Sequence, residues 1–130
     1  MVPMKTHPTN LYIVDDSADI RRRLNDVFSR MEGVCVVGEA ADAPRAVLDI
    51  LALHPDFVVL DLELNGGSGL HVLNAIHPQM PEIDFIVLTN HAESQYRRAC
   101  VHAGARHFLD KSTEFDRVKQ VVATGAAARH

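Results

Sequence analysis

Polar residues that can do chemistry stand at the ends of several short apolar runs in this sequence. They are three carboxylates, one hydroxyl and one ammonium: Asp15, Asp16, Asp61, Thr89 and Lys111. Carboxylates brought together repel one another, by roughly 4 kcal/mol per pair at 4 Å and an effective dielectric of 20. One lysine offsets only part of that repulsion, and a hard cation such as Mg²⁺ is the natural complement. A carboxylate beside Mg²⁺ and a lysine suits phosphoryl transfer, with the carboxylate as nucleophile.

The run Phe57–Leu60 is the element that must position Asp61. Its four apolar residues, Phe-Val-Val-Leu, predict a strand that is buried on both faces of a parallel sheet. A carboxylate directly after such a strand is costly unless it has partners. Taken alone, Asp61 is equally well explained as a residue that braces the following loop. The other polar residues at strand ends favour a functional site.

The rest of the chain alternates strand-like and helix-like segments. Apolar runs predict further strands at Leu11–Val14, Val34–Ala40, Ile83–Leu88 and His107–Leu109. Helical periodicity predicts helices near residues 18–31, 43–53, 69–76 and 94–103, and a last helix capped by Ser112 or Thr113. The alternation predicts an α/β fold, a flavodoxin-like doubly wound sheet of five parallel strands in the order 2-1-3-4-5. In that order the carboxyl ends of strands one and three meet where ligands bind.

Length and charge narrow the possible functions. The chain has 130 residues and a formal net charge of −4, which suits one domain and argues against a basic surface for nucleic acid or anionic membrane. No apolar run approaches the ~18 residues of a membrane span. We predict a flexible lead-in over residues 1–9, one domain over 10–124 and a frayed tail over 125–130. Cys35 and Cys100 lie in apolar runs and are expected to be buried thiols of a cytoplasmic protein.

The polar residues form a set that is familiar from one family. They are the Asp15-Asp16 pair, Asp61 with the later Ser68-Gly69-Leu70 loop, Thr89, and Phe108 three residues before Lys111. Thr89 lies 28 residues after Asp61, and Lys111 lies 22 residues after Thr89. Over residues 10–123 the chain resembles the response-regulator receiver domain of two-component signalling, in its CheY-like single-domain form. The resemblance implies a signalling phosphoacceptor rather than an enzyme, one that catalyses only its own phosphorylation and dephosphorylation.

The resemblance implies a role for each carboxylate and for the lysine. Asp61 would accept the phosphoryl group. Asp16 and Asp61 would ligate Mg²⁺ directly, Asp15 partly through water, and Glu63 through its backbone carbonyl. Lys111 would bind both the phosphoryl group and the Asp61 carboxylate.

The resemblance also implies a switch made of two residues. Thr89 would move toward the phosphoryl oxygen, and Phe108 would rotate from an outer to an inner position to fill the space that Thr89 leaves. A phenylalanine has no hydroxyl to bond on the outside, so this switch would depend on packing alone. The alternative for Phe108 is an aromatic side chain that stays in the core.

The sequence departs from the family near the phosphorylation site. Receivers often have a proline where this chain has Asn65, and the glycines that follow it predict a more mobile loop. Asn90 replaces a residue that is usually small and is expected to narrow access to Asp61. Glu63 and His91 flank the site and are predicted to shape the approach of the attacking water. The alternative for this pair is two solvated loop side chains.

The family's partners suggest which surfaces of this chain bind proteins. A sensor histidine kinase or phosphotransfer protein would meet the first helix and the loop rims, with Ser17 and Ile20 as candidates. An unknown downstream protein would meet the face of the fourth helix, fifth strand and fifth helix, which carries Tyr96, Arg97, Arg98, Arg106 and Arg117. These arginines suit an acidic partner, although solvated charges explain them nearly as well. We expect no direct contact with nucleic acid or membrane, and a monomer or a weak, phosphorylation-dependent dimer.

Other function classes fit the sequence less well. A small phosphohydrolase with an aspartyl nucleophile normally carries its acidic motif after the first strand, not the third. A flavodoxin-like cofactor binder would need a phosphate loop, which Ser17-Ala18-Asp19 does not make, and this chain has no Trp and two Tyr to stack on a flavin. A receiver that acts as a phosphate sink or relay is a further alternative. A degenerate receiver that takes no phosphate is disfavoured, because all five key residues are present.

Overall fold

The computed structural model describes residues 8–129 of the chain. Most of the predicted lead-in, residues 1–7, lies outside this range. The strands are β1 (Thr9–Val14), β2 (Val34–Ala40), β3 (Phe57–Leu60), β4 (Glu63–Leu64), β5 (Gly67–Ser68), β6 (Asp84–Thr89) and β7 (His107–Asp110). The helices are α1 (Ala18–Ser29), α2 (Ala43–Leu53), α3 (Gly69–Ile76), α4 (Ser94–His102) and α5 (Arg117–Arg129). None of the described helices is long and apolar enough to cross a membrane.

Five of the strands form one parallel sheet in the order β2-β1-β3-β6-β7. With the short β4–β5 hairpin set aside, this is the predicted order 2-1-3-4-5, which is therefore confirmed. Leu60 pairs with Val14 on one side and with Val87 on the other. Since the next residue after Leu60 is Asp61 and the next after Val14 is Asp15, the register brings these two carboxylates to the same edge of the sheet.

Two apolar layers cover the sheet and fix β3 at its centre. Val58 and Leu60 belong to the layer that includes α2 and α3, whereas Phe57 and Val59 belong to the layer with α1 and α5. All four residues of β3 are at most 2% exposed. The prediction of a strand buried on both faces is confirmed, and this burial holds the end of the strand in place.

Short polar side chains begin three of the helices. Ser17 Oγ accepts a hydrogen bond from Ile20 N at 3.2 Å, and Ser68 Oγ accepts one from His71 N at 3.2 Å. Asp42 Oδ1 accepts one from Arg45 N at 2.8 Å. Each bond satisfies a helix N–H that lacks a partner within its own helix. Ser17, a predicted partner contact, is therefore also the residue that starts α1.

The last helix begins later than the sequence predicts. Neither Ser112 nor Thr113 caps it, because α5 starts at Arg117. The Asp110 carboxylate instead accepts hydrogen bonds from Ser112 N and Oγ at 2.9 and 2.6 Å, and Glu114 Oε1 accepts one from Asp110 N at 2.9 Å. Such local side-chain bonds compete with helix formation and hold the segment as a series of turns.

Two other expectations differ from the structure. The tail is helical to Arg129 instead of fraying from Gly125. Gly125 packs closely on Phe57, where an added Cβ would lie 2.5 Å from the ring, so tertiary contact supports the end of the helix. Cys100 is buried as expected, but Cys35 is exposed because it lies on β2, an edge strand of the sheet.

Candidate functional site

The carboxyl edge of the sheet carries a buried ion-pair cluster. Lys111 Nζ donates hydrogen bonds to Asp61 Oδ2 at 2.9 Å and to Asp15 Oδ2 at 2.8 Å. The exposed fractions of the three side chains are 9% for Lys111, 7% for Asp61 and 3% for Asp15. The structure thus brings together three residues from the ends of three different strands, and the lysine lies between the two carboxylates.

Backbone groups hold the remaining oxygens of these carboxylates. Asp61 Oδ1 accepts a hydrogen bond from Leu62 N at 2.7 Å, and Asp15 Oδ1 accepts one from Ser17 N at 2.9 Å. Asp61 N in turn donates to Val14 O at 2.9 Å. Each carboxylate oxygen keeps a second lone pair for another partner. Asp61 is therefore fixed in orientation and still able to act as a nucleophile or a ligand.

Burial and charge act in opposite directions on the cluster. Burial raises the pKa of Asp15 above its usual value, although the bonds from Lys111 and Ser17 work against the shift. Burial alone would lower the pKa of Lys111, but its hydrogen bonds to Asp15 and Asp61 outweigh this, and the pKa is raised. The lysine is consequently a firm cation, and the cluster as a whole favours a further positive charge.

Asp16 completes an acidic set that fits a divalent cation. Oxygens of Asp15, Asp16 and Asp61 all lie within 4.8 Å of one another. Two ligand atoms on one Mg²⁺ ion, each at about 2.1 Å from it, can be at most about 4.2 Å apart. The three carboxylates can therefore bind one ion if their oxygens move slightly closer together, or if one of them binds through a water molecule. Asp16 is exposed while the other two are buried, which leaves one side open to hydrated ions. Glu63, the further predicted ligand, begins β4 two residues beyond Asp61.

Arg21 supports the site from α1, and the sequence did not identify it. Its Nη1 donates to the Asp15 carbonyl oxygen at 2.8 Å, and its Nε pairs with Glu39 Oε1 at 2.6 Å. The Arg21 side chain is only 20% exposed. A signal was available in Glu39, an acidic residue near the end of the strand beside Asp15.

Thr89 lies at the end of β6 and is fully buried. Its Oγ1 accepts a hydrogen bond from His91 N at 3.1 Å, and its carbonyl oxygen accepts one from Lys111 N at 2.8 Å. Thr89 therefore connects the loop after β6 with the backbone of the lysine that contacts Asp61.

Phe108 occupies a buried position on β7, beside Val87. Its ring is 6% exposed and belongs to the apolar layer. The guanidinium carbon of Arg97 lies 4.8 Å from the ring centre, and Arg97 Nη1 donates to the Phe108 carbonyl oxygen at 3.4 Å. Phe108 is thus buried against the sheet, with an arginine of α4 covering its ring.

Glu63 and His91 meet above the site. Glu63 Oε1 lies 3.2 Å from His91 Nε2, and the His91 ring packs edge-on against Tyr96 with centroids 5.8 Å apart. The hydrogen bond with Glu63 raises the pKa of His91. The two side chains therefore contact each other, while Glu63 remains 76% exposed to solvent. Asn90, between Thr89 and His91, is exposed.

The loop after Asp61 is a small hairpin, which the sequence analysis missed. Glu63 pairs with Ser68 and Leu64 with Gly67. Asn65 also bonds to the loop before α2, through Asn65 N to Ala41 O at 3.3 Å and Ala43 N to Asn65 O at 3.1 Å. These bonds attach Asn65 to the loop before α2, and the greater mobility expected of this segment stays a prediction. The dipeptide Asn65-Gly66 is a strong hairpin signal that could have identified it.

The arginines predicted on one partner face are spread along the domain. Arg97 covers Phe108, as described above. Arg106 pairs with Asp84 at 2.9 Å, at the opposite end of β6 from Thr89, and Arg117 pairs with Glu114 at 2.7 Å. Some of the positive charge on this predicted partner face is therefore already paired with acidic side chains of the domain.

Comparison with protein families gives one match that covers most of the chain. Residues 11–123 match the model of the response regulator receiver domain. Protein-glutamate methylesterase/protein-glutamine glutaminase 5 of Myxococcus xanthus is 36% identical over 107 residues, which are 82% of this chain and 31% of that protein. The chain spans about a third to about half of the length of several curated relatives that it matches.

Solved structures resemble this one closely. A two-component response regulator of the LuxR family from Aurantimonas sp. SI85-9A1 has a TM-score of 0.85 at 28% identity, covering 93% of this chain and 86% of that one. The CheX–CheY complex from Borrelia burgdorferi, solved with BeF3 and Mg, matches with a TM-score of 0.77 at 27% identity, covering 88% of this chain and 90% of that one.

Proposed function

The chain belongs to the response regulator receiver domain family, and from this we propose that it accepts a phosphoryl group on Asp61. The donor is the phosphohistidine of a sensor histidine kinase or phosphotransfer protein. The observation that carries the proposal is the buried lysine bridge, in which Lys111 Nζ contacts Asp61 and Asp15 at 2.9 and 2.8 Å. A buried carboxylate at a sheet edge with a lysine and two acidic neighbours is suited to nucleophilic chemistry at phosphorus.

The reaction follows from the contacts. An Asp61 carboxylate oxygen attacks phosphorus, an O–P bond forms, the N–P bond of the phosphohistidine breaks, and the freed imidazole takes a proton. The Lys111 ammonium neutralises charge on the transferring oxygens. Asp15, Asp16, Asp61 and the carbonyl of Glu63 would hold Mg²⁺, which when bound would neutralise further charge on the phosphoryl group. Water later attacks the phosphorus of the acyl phosphate, the bond between phosphorus and the Asp61 oxygen breaks, and inorganic phosphate leaves as the Asp61 carboxylate is restored.

The proposed output is a change on the surface formed by α4, β7 and α5. Phosphorylation draws the Thr89 hydroxyl toward the phosphoryl oxygens and favours the inner position of Phe108. The altered surface then controls a downstream protein. The phosphohistidine partner docks at the start of α1, near Ser17 and Ile20. The reaction takes place in the cytoplasm, on a monomer or a weak dimer.

Acetyl phosphate, a small phosphoryl donor, tests the proposal directly. With Mg²⁺ the intact protein should gain the mass of one phosphoryl group. Asp61→Asn removes the nucleophile, and EDTA removes the metal, so each should abolish the gain. Release of phosphate from free phosphomonoesters should stay at background. A wild-type protein that takes no label, or an Asp61→Asn variant that is labelled as well as the wild type, would refute the proposal.

Phosphoryl lifetime provides a second prediction. Because the Glu63–His91 pair lies above the phosphorylation site, replacing both residues by alanine should open a path for water. We expect the rate of dephosphorylation to rise several-fold, measured by loss of the phosphorylated mass after the donor is removed. Arg45→Ala serves as control, because it removes an exposed side chain from a different element, α2. An unchanged rate in the double variant would contradict a shielding role.

A further inference from the structure

The fourth helix is weakly attached to the rest of the domain. Of its nine residues, all of which the structure describes, Cys100 alone is buried. The residue that precedes it, Glu93, makes no side-chain hydrogen bond to cap it. A helix with so little burial and no cap depends on individual tertiary contacts for its position.

Arg97 makes two of these contacts with one residue of the sheet. Its guanidinium lies 4.8 Å from the centre of the Phe108 ring, and its Nη1 donates to the Phe108 carbonyl oxygen at 3.4 Å. A guanidinium at this distance is attracted by the electron-rich face of an aromatic ring. The same side chain thus contacts both the ring and the backbone of Phe108, and it covers a ring that is only 6% exposed.

Phe108 is in turn connected to the phosphorylation site. It lies on the strand that leads to Lys111, which contacts Asp61. Its neighbour on β6 is Val87, two residues before Thr89. The loop that follows is held by Glu114, whose Oε1 accepts a hydrogen bond from Asp110 N at 2.9 Å.

We propose that Arg97 is a positioning residue that couples the inner position of Phe108 to the position of α4. The proposal rests on the phosphorylation of Asp61 proposed above, and it adds the contact through which phosphorylation changes the position of α4. Residue 108 is a phenylalanine, so it has no hydroxyl that could hold the ring in one position. In this chain the contact between the Arg97 cation and the ring takes that role. Removing the cation releases the ring, lowers the population of the inner position, and so lowers the affinity of Asp61 for a phosphoryl group.

Beryllofluoride, an analogue of the phosphoryl group, allows the coupling to be measured at equilibrium. Its fluorine NMR signal reports binding at Asp61 in the presence of Mg²⁺. Arg97→Met keeps the length of the side chain and removes the charge, and we expect it to weaken beryllofluoride binding about two- to five-fold. Arg97→Lys, which keeps a cation, should recover part of this loss. Arg22→Met removes an exposed arginine from α1 and should leave binding unchanged.

A double-mutant cycle separates coupling from a general effect on the helix. In a Phe108→Leu background, Arg97→Met should cause no further loss, because the ring that it contacts is gone. Additive losses, or an Arg97→Met variant that binds as tightly as wild type, would overturn the coupling while leaving the phosphorylation proposal intact. Absence of bound beryllofluoride in the wild type would overturn both.

Discussion

Replacing Lys111 by methionine is expected to lower the free energy of unfolding by about 3–5 kcal/mol at neutral pH. The two carboxylates that Lys111 contacts are at most 7% exposed, so without the lysine two buried negative charges face each other. Urea denaturation of the metal-free protein measures the loss. Lys119→Met, which removes an exposed lysine from α5, should change stability by less than about 0.5 kcal/mol.

The stability deficit of Lys111→Met should depend on pH. Burial already raises the pKa of Asp15 in the folded protein above its ordinary value of 3.8, and loss of the lysine raises it further. A carboxyl whose folded pKa is raised is most favourable to folding below its unfolded pKa, and this contribution is lost as pH rises through the folded pKa. The deficit should therefore be small below about pH 4 and grow toward neutral pH. A deficit independent of pH would contradict this explanation.

Mg²⁺ should change the stability of the wild type and of the Lys111→Met variant by different amounts. Loss of the ammonium leaves the acidic set more negative, so Mg²⁺ should stabilise Lys111→Met more than it stabilises the wild type. Labelling by acetyl phosphate should nevertheless fall at least tenfold, because the charge that neutralises the transferring oxygens is gone. Tighter metal binding with poorer phosphorylation would distinguish a lysine that acts on the phosphoryl group from one that only holds the metal site together.

Much of the site could be predicted because β3 is buried on both faces. In a chain of this length, the apolar run Phe57–Leu60 is best explained as a central parallel strand. The residue that follows it must then lie at the carboxyl edge of the sheet. The same reasoning applies to Val14 before Asp15 and to Leu88 before Thr89. Sequence therefore predicts which residues share an edge, since parallel strands bring their carboxyl ends together.

Contacts between side chains of distant segments could not be predicted in the same way. The Arg21 bond to the Asp15 carbonyl, the Glu63–His91 pair and the Arg97–Phe108 contact each involve at least one exposed or partly exposed polar side chain, and such side chains show no periodic pattern. The late start of α5 depends on local bonds from Asp110 and Glu114 that outcompete the cap expected at Ser112. Strand and helix patterns specify burial, whereas these contacts depend on rotamers and on neighbours across the fold.

Gly69→Ala is expected to cost about 1–3 kcal/mol of stability and to reduce labelling of Asp61. Gly69 begins α3, and its N–H donates to Leu62 O at 2.9 Å. A Cβ at this position would overlap the carbonyl oxygen of Asp61, a backbone atom that cannot rotate away. To admit the methyl group, either α3 must move from the sheet or the Asp61 peptide must shift.

Gly33→Ala is the matched control for Gly69→Ala. Gly33 has a positive φ of 81°, but an added Cβ would meet nothing within 4 Å. Alanine there should cost about 1–2 kcal/mol through backbone strain alone and leave phosphorylation unchanged. A Gly69→Ala variant that folds and is labelled like the wild type would show that the helix can move without disturbing the site. The expected loss of stability and labelling would instead show why glycine stands at position 69. Helix α3 can begin this close to Asp61 only if its first residue has no side chain.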